Sequence, residues 1–533
     1  MIIARPLRAD APAQSSPLRG LSRLLPGPLL ALLLWEVLGR ALADAFVLAP
    51  PSAILVYLYE NLGLMSRALA VTLANAAAGF VIGNLAAIAL AVLASVWPRS
   101  DGVVRGLALL VFCLPLVATG PILRVVFGPG PWPQIVLAAL AVYYTTLIPL
   151  LVGLRAVPAG WLDLVQSYGR GRLAALLHVR ALAALPYLVA GLQIAAPAAF
   201  LGAMIGEFTG AERGMGVLTL RAMRSMNVDM TWALATVATF VAVLSYLAIG
   251  WLARRFMHHE PPVILAAPTG AGKGGRGQGA LRGLLLTGAA ALLLWWGALA
   301  LLDLNPFFAK GPWEVFSALV LAPDAAATRS ALAEALGQTA IFLVPGYLAG
   351  LAAGALLAML IVLVPRIAGV AMPLAIALRS VPIITTAPLV VLILGRGALG
   401  TVVLVAIMVF FPTFVACLHG LRQAPGRIID VLDSYAAGPV QQLIRVRIPA
   451  MLPAFFAAAR MNVPASVLAV TVVEWLATGN GIGSLMALSA SLSDYDMLWS
   501  SVVLVSILSA LGYAGVGVLE RRVFRVYAPE QLQ

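Results

Sequence analysis

Apolar residues recur along the whole chain in blocks of roughly 20, the length an α-helix needs to cross about 30 Å of hydrocarbon. The blocks lack the strict apolar–polar alternation of a membrane β-barrel. Of the 533 residues, 62% are hydrophobic and only 10% charged, which excludes a soluble enzyme, a disordered chain and a secreted disulfide scaffold. The expected fold is an all-α polytopic membrane protein with about twelve transmembrane helices. The spans are expected at roughly 26–47, 68–96, 106–127, 134–153, 185–206 and 231–252, then 283–302, 339–364, 368–394, 398–419, 453–473 and 498–519.

Lys and Arg outnumber Asp and Glu by 34 to 21, giving a net charge of +13. In a soluble chain that surplus would point to nucleic acid, but between apolar spans it is a topology signal. With both termini on the cytoplasmic side of an inner membrane, about 23 of the 34 cations fall in cytoplasmic segments. The sequence Ala41-Leu42-Ala43 imitates a signal-peptidase site after the first span, but the span is long for a signal and carries Glu36, so the first helix is expected to be retained. Cys113 and Cys417 lie inside apolar spans and read as packing residues. His178, His258, His259 and His419 show no metal-ligand spacing.

The chain repeats itself. Thr72 matches Thr339, Pro98-Arg99 matches Pro365-Arg366, Pro115 matches Pro382, and Gly153-Leu154-Arg155 matches Gly420-Leu421-Arg422. Glu207, Gly214 and Gly216 match Glu474, Gly481 and Gly483, and Arg254-Arg255 matches Arg521-Arg522, every pair separated by 267 residues. An offset that preserves loop character implies an even number of spans per copy, hence two parallel six-helix repeats. The expected organisation is a tail over 1–25, a first repeat over 26–257, a linker over 258–282, a second repeat over 283–525 and a tail over 526–533. The linker is Gly-rich, and its Gly272-Lys273 lacks the remaining positions of a phosphate-binding loop, so ATP binding by this chain itself is not expected.

Each copy carries one long polar loop, 155–185 and 422–452, expected to form two short helices joined by a turn. Pro158 and Pro425 suit the entry of the first, Asp163 and Asp430 favour its dipole, and Arg172, Arg445 and Arg447 mark the second. A polar, Arg-bearing elbow at a membrane surface fits either a protein-docking site or a helix held by anionic lipid.

This loop resembles the EAA loop of permeases of ATP-binding-cassette importers, with Asp163 and Asp430 at the Glu position, Gly169 at the Gly position, Val179 and Val446 at the Ile position and Pro449 at the terminal proline. Ala436 and Leu182 depart from the pattern. Glu207-x6-Gly214-x-Gly216 and Glu474-x6-Gly481-x-Gly483 resemble the end of the penultimate helix in the nitrate, sulfonate, taurine and bicarbonate branch. The resemblance implies a fused pseudo-dimer of the type I importer fold. It implies two cytoplasmic ATPase subunits, carrying ATP and Mg, docked on loops that include Ser167, Tyr168, Ser434 and Tyr435, and an extracytoplasmic solute-binding protein on the other face. No cofactor and no catalysis are implied for this chain, and the Glu–Gly–Gly elements read as structural turns near an outer gate.

Charges inside spans are expensive and mark a pathway or a specific pair. Arg124, Arg379 and Arg460 are such charges, and their repeat partners Val391, Phe112 and Gln193 break the symmetry. Arg460 and Gln193 are expected to line the path and to favour a small anionic or carboxamide-bearing solute; the alternative is that Arg460 binds a backbone carbonyl while Arg124 and Arg379 snorkel. A secondary carrier with two parallel six-helix halves is the alternative function, and a membrane scaffold a third.

Overall fold

The computed structural model describes residues 26–42, 48–256, 278–368, 390, 393–395 and 397–527, and every regular element among them is helical. The first half comprises α1 (Pro26–Ala41), α2 (Pro51–Glu60), α3 (Leu62–Val96), α4 (Asp101–Phe112), α5 (Leu116–Phe127), α6 (Trp132–Gly153), α7 (Ala159–Ser167), α8 (Ala181–Phe208), α9 (Met215–Arg224) and α10 (Val228–Phe256). The second comprises α11 (Gln278–Leu301), α12 (Pro312–Phe316), α13 (Ala325–Leu363), α14 (Ala398–Arg422), α15 (Gly426–Ser434), α16 (Ile448–Val473), α17 (Ile482–Ser491) and α18 (Tyr495–Tyr527). The linker and both expected tails lie almost wholly outside the described residues, as does most of the expected span 368–394 with Arg379.

Eight helices among the described residues are long and apolar enough to cross a membrane, and a bent pair makes a ninth. That pair corrects the expected single span 106–127. Helices α4 and α5 meet at 95° across Cys113-Leu114-Pro115, because Pro115 lacks an N–H and adopts an extended backbone (φ −73, ψ 93) that no helix can continue through. The expected first span is 16 residues of helix, about 24 Å, which is short of a full crossing. Its Glu36 is not an isolated charge: it pairs with Arg40 at 2.7 Å and accepts the Ser52 hydroxyl and amide at the start of α2.

Packing inside each half follows a small-residue rule suited to lipid, where apolar burial gives no net drive and close approach must supply the attraction. The buried face of α3 carries Ala68, Ala76, Gly79, Gly83, Ala87 and Ala91 at helical spacing. A Cβ on Gly83 would lie 2.6 Å from the Ala139 carbonyl oxygen of α6, so the backbones of α3 and α6 touch there. Gly346 and Gly350 hold α13 against α14 in the same way, with a Cβ on Gly350 falling 2.6 Å from the Ala406 oxygen. Thr146 of α6 donates to Asn84 of α3 at 2.6 Å, while its repeat equivalent Thr413 accepts Asn462 of α16 at 2.9 Å.

Since α6 ends at the loop containing α7 and α8 leaves it, both long loops lie at one end of the bundle, the elbow end. The C-termini of α8 and α16 and the short helices α9 and α17 lie at the other, the far end. The bend after α4 carries α5 into the other half, where Ala118 and Ile122 share a core cluster with Ile482, Met486, Leu498 and Val502.

Replacing Gly83 with Leu should therefore separate α3 from α6 and cost about 1–3 kcal/mol by overpacking. Thermal unfolding in detergent should show a lower midpoint for Gly83→Leu and none of that loss for Gly102→Leu, where nothing lies within 4 Å of the added Cβ.

Candidate functional site

Helices α7 and α15 form the elbows. Pro158 and Pro425 sit at their N-caps in extended conformation, as their ring geometry dictates. Both helices end in the same wrap: Arg170 N–H bonds Val165 O and Ala437 N–H bonds Leu432 O, across residues with left-handed backbone, Gly169 (φ 68) and Ala436 (φ 55). Ala436 thus keeps the turn that Gly169 makes, at the cost of a strained backbone. Two expectations need correction. Asp163 and Asp430 stand fifth of nine residues, beyond the first turn where the helix dipole favours a carboxylate. The second short helix is not separate: Leu173–Phe208 and Pro439–Leu476 each run on as one long span, through a π-turn at Leu176–Arg180 or Leu443–Arg447.

Asp163, Ser167, Tyr168, Gly169, Asp430, Ser434, Tyr435 and Arg445 are exposed, whereas Arg447 and Pro449 are half-buried. The hydroxyls of Ser167 and Ser434 are occupied by the Leu164 and Val431 carbonyls of their own helices. Among these polar groups the elbows also expose an apolar set: Trp161, Leu164 and Tyr168 at α7, and Ile428, Val431 and Tyr435 at α15, all at least half exposed. These residues occupy equivalent places in the two copies. Sequence inspection passed over four of the six because isolated apolar residues in so apolar a chain carry no contrast.

At the far end each half is tied by a buried carboxylate. Thr72 of α3 donates to Glu207 Oε1 at 2.7 Å and accepts the Met215 N–H at 2.8 Å, while Gly216 N–H donates to Glu207 Oε2 at 2.7 Å. In the second copy Thr339 and the Gly483 N–H both donate to Glu474 Oε2, at 3.1 and 2.9 Å, and Ile482 N–H donates to Thr339 at 2.9 Å. Gly214 (φ 139) and Gly481 (φ 89) lie against these carboxylates where a Cβ would collide with them. The knots close the N-termini of α9 and α17, which would otherwise leave buried amides unpaired.

Arg460 and Gln193 each pack against a partner within their own half. Arg460 of α16 pairs with Glu520 of α18 at 3.2 Å, both buried, and lies 5.8 Å from the Tyr513 ring centroid. Gln193 of α8 packs on Gly250 of α10, the repeat equivalent of Gly517 beside Arg460. Glu520 falls one residue past the expected end of the last span, which is why Arg460 looked unpartnered in the sequence.

A cavity of about 1020 Å³ opens at the far end between the halves. It is lined by equivalent positions of both copies, including Phe208 and Trp475, Leu220 and Ala487, and Met223 and Ala490, so it straddles the pseudo-twofold relation. Arg124 lines it, unlike Arg460 and Gln193.

Residues 79–258 and 348–525, more than half of the chain, match the family described as the binding-protein-dependent transport system inner membrane component. The chain belongs to this family of ABC importer permeases. It is 30% identical over 227 residues to a probable ABC transporter permease protein of Haemophilus influenzae, using 42% of this chain and 93% of the relative. It is 28% identical over 167 residues to the formylaminopyrimidine transport permease protein ThiX of Halalkalibacterium halodurans, covering 31% of this chain and 67% of the relative. The taurine transport system permease protein TauC of Escherichia coli is 26% identical over 228 residues, covering 42% and 83%. Nearly a whole permease thus matches less than half of this chain, as two copies in one polypeptide require. The family match sets aside the secondary carrier and the scaffold, and the permease is a multi-pass inner-membrane protein.

The ion pair in this permease gives a direct test. Arg460→Met should destabilise the permease by about 3–5 kcal/mol by leaving Glu520 charged and buried. Arg460→Met with Glu520→Leu should recover most of that loss in a thermal melt, an outcome a path-lining arginine would not produce.

Proposed function

We propose that this chain supplies both halves of one translocation pathway, with α7 and α15 each receiving one ATPase subunit of an ATP-binding-cassette pair. The elbows and both termini are cytoplasmic in this reading, and the far end faces an extracytoplasmic binding protein that delivers a small solute. ATP and Mg belong to the ATPase partners, and the permease contributes surfaces and gates but no covalent chemistry. Closure of the ATPases would draw the elbows together. The motion would pass up the continuous rods Leu173–Phe208 and Pro439–Leu476 to the Glu207 and Glu474 knots beside the far-end cavity. Those knots, with Gly214, Gly216, Gly481 and Gly483, are the proposed outer gate.

The observation that carries this reading is the matched stripe on the elbows, Trp161 with Ile428, Leu164 with Val431 and Tyr168 with Tyr435. Exposed apolar residues at i, i+3 and i+7 on a short helix anchor well in a groove, and aromatic anchors carry much of such binding. A lipid-surface helix would direct the same residues into the bilayer and would need no likeness between copies.

Changing both Tyr168 and Tyr435 to Ala should weaken association with the ATPase pair by at least about 30-fold and abolish uptake, with the permease still folded. Ser167→Ala with Ser434→Ala should leave binding unchanged, because those hydroxyls already serve their own helices. Pull-down of the ATPase from detergent measures both, and uptake that persists without any ATPase would defeat the proposal.

A further inference from the structure

We propose that a cavity of about 320 Å³ beside the first elbow is a binding site for a phosphate group, carried by an anionic phospholipid or by a soluble phosphomonoester, which braces α7 against the rod Leu173–Phe208. The cytoplasmic placement of this end rests on the transporter reading. The site itself rests on two arginines and on a difference between the copies.

The cavity gathers three parts of the first half. Ser95 comes from the elbow end of α3, Gln166 from α7, and Arg170, Ala175 and Arg180 from the turn and the rod that follow. Arg180 Nη1 donates to the Ser95 hydroxyl at 3.2 Å, while the Arg170 guanidinium bonds to no described residue. Neither arginine forms an ion pair with a described carboxylate, and no Asp or Glu is among the described residues that line the cavity. Two cations in one pocket repel, and an oxyanion between them relieves that repulsion. Guanidinium groups meet phosphate through paired N–H donors, and the Ser95 hydroxyl, already accepting from Arg180, has its own proton to give.

The second copy closes the equivalent place with its own atoms. Gln442, at the position of Ala175, donates to Asp433, at the position of Gln166, at 2.6 Å and to the Ala437 carbonyl at 3.2 Å. That pair ties α15 to its rod, Pro439–Leu476. No described side-chain hydrogen bond joins α7 to the first rod; the Ser167 hydroxyl serves Leu164 of its own helix. Ala175 leaves free the room that a glutamine takes in the other copy, and Gln166 removes the carboxylate that would repel an anion. Arg170 is answered by Ala437 and Ser95 by Val362, so of these groups only Arg180 recurs, as Arg447. A phosphate accepting from Arg170, Arg180 and Ser95 makes through a ligand the tie that the second copy makes with a side chain.

Size and position narrow the ligand. About 320 Å³ is at the lower end for small-molecule pockets, enough for a phosphate with a few further atoms. Trp97, between Ser95 and Pro98 in the chain and 63% exposed, sets this end at the interfacial level where such rings settle, within reach of lipid phosphates and of solution. Leu162 and Gln166, which line the cavity one turn apart, lie on a different face of α7 from Trp161, Leu164 and Tyr168, so phosphate and docked partner do not overlap on that helix.

The test uses the full-length permease in phosphatidylcholine nanodiscs, whose headgroups carry no net charge, with hydrogen exchange followed over 159–171 and 426–438. The additions are phosphatidate in the bilayer, glycerol phosphate in solution, and glycerol as the neutral comparison. A phosphate source should slow exchange over 159–171 by at least about threefold and leave 426–438 unchanged. A response to phosphatidate alone identifies the lipid as the source, and a response to glycerol phosphate identifies a soluble ligand. Arg170→Gln, at an exposed position, should abolish the response while exchange over 426–438 shows the fold retained. Gln166→Asp with Ala175→Gln, which copies the second elbow's tie, should slow exchange over 159–171 with nothing added and remove the response. No slowing with either phosphate source, equal slowing with glycerol, the same response over 426–438, or a response that survives Arg170→Gln would overturn the proposal. ATPase docking is measured on the same nanodiscs. Docking without a phosphate response sinks this site alone, whereas a phosphate response without docking sinks the transporter reading alone.

Discussion

The permease depends on two buried threonine–glutamate knots. In a membrane each backbone N–H must find an acceptor inside the protein, because no water replaces a missing one. The short helices α9 and α17 begin at the far end with free amides, and Glu207 with Thr72 and Glu474 with Thr339 accept them. Each knot joins three elements: the long helix that carries the threonine, the long helix that ends in the glutamate, and the short helix that starts after the glycines. The two are not identical, since both acceptor oxygens of Glu207 are engaged while Glu474 Oε1 has no hydrogen bond among the described residues. The second knot is the looser.

Symmetry and asymmetry divide along the bundle. At the elbow end the two copies present exposed apolar side chains at equivalent positions on α7 and α15, as two copies of one partner would require. At the far end the described cavity walls pair by the repeat, while Arg124 and Arg224 are answered in the sequence by Val391 and Ser491. A chain that carries both halves can let one drift without changing the other, and the cations at Arg124 and Arg224 use that freedom.

Much of this was legible in the sequence, for reasons that differ by element. The repeat was visible because Pro, Gly and charged residues are scarce among apolar spans, so Pro115 with Pro382 or Glu207 with Glu474 stand out at a constant separation. The elbows were visible as the longest polar interruptions, and Pro158 and Pro425 marked their starts. Contacts between distant helices were not visible. Arg460 looked alone because Glu520 is 60 positions away and one residue beyond the apolar block. The outward stripe of α7 was hidden because Leu164 resembles every other leucine until its exposure is known. The 95° break at Pro115 was hidden because hydropathy averages over a proline that geometry does not tolerate.

The central claim is that one chain is a complete permease for one ATPase pair, and native mass spectrometry of the complex purified with its ATPase tests it most directly. One permease chain with two ATPase subunits is the stoichiometry the account requires. Two permease chains with two ATPase subunits would mean that each chain contributes half a pathway, and would contradict it.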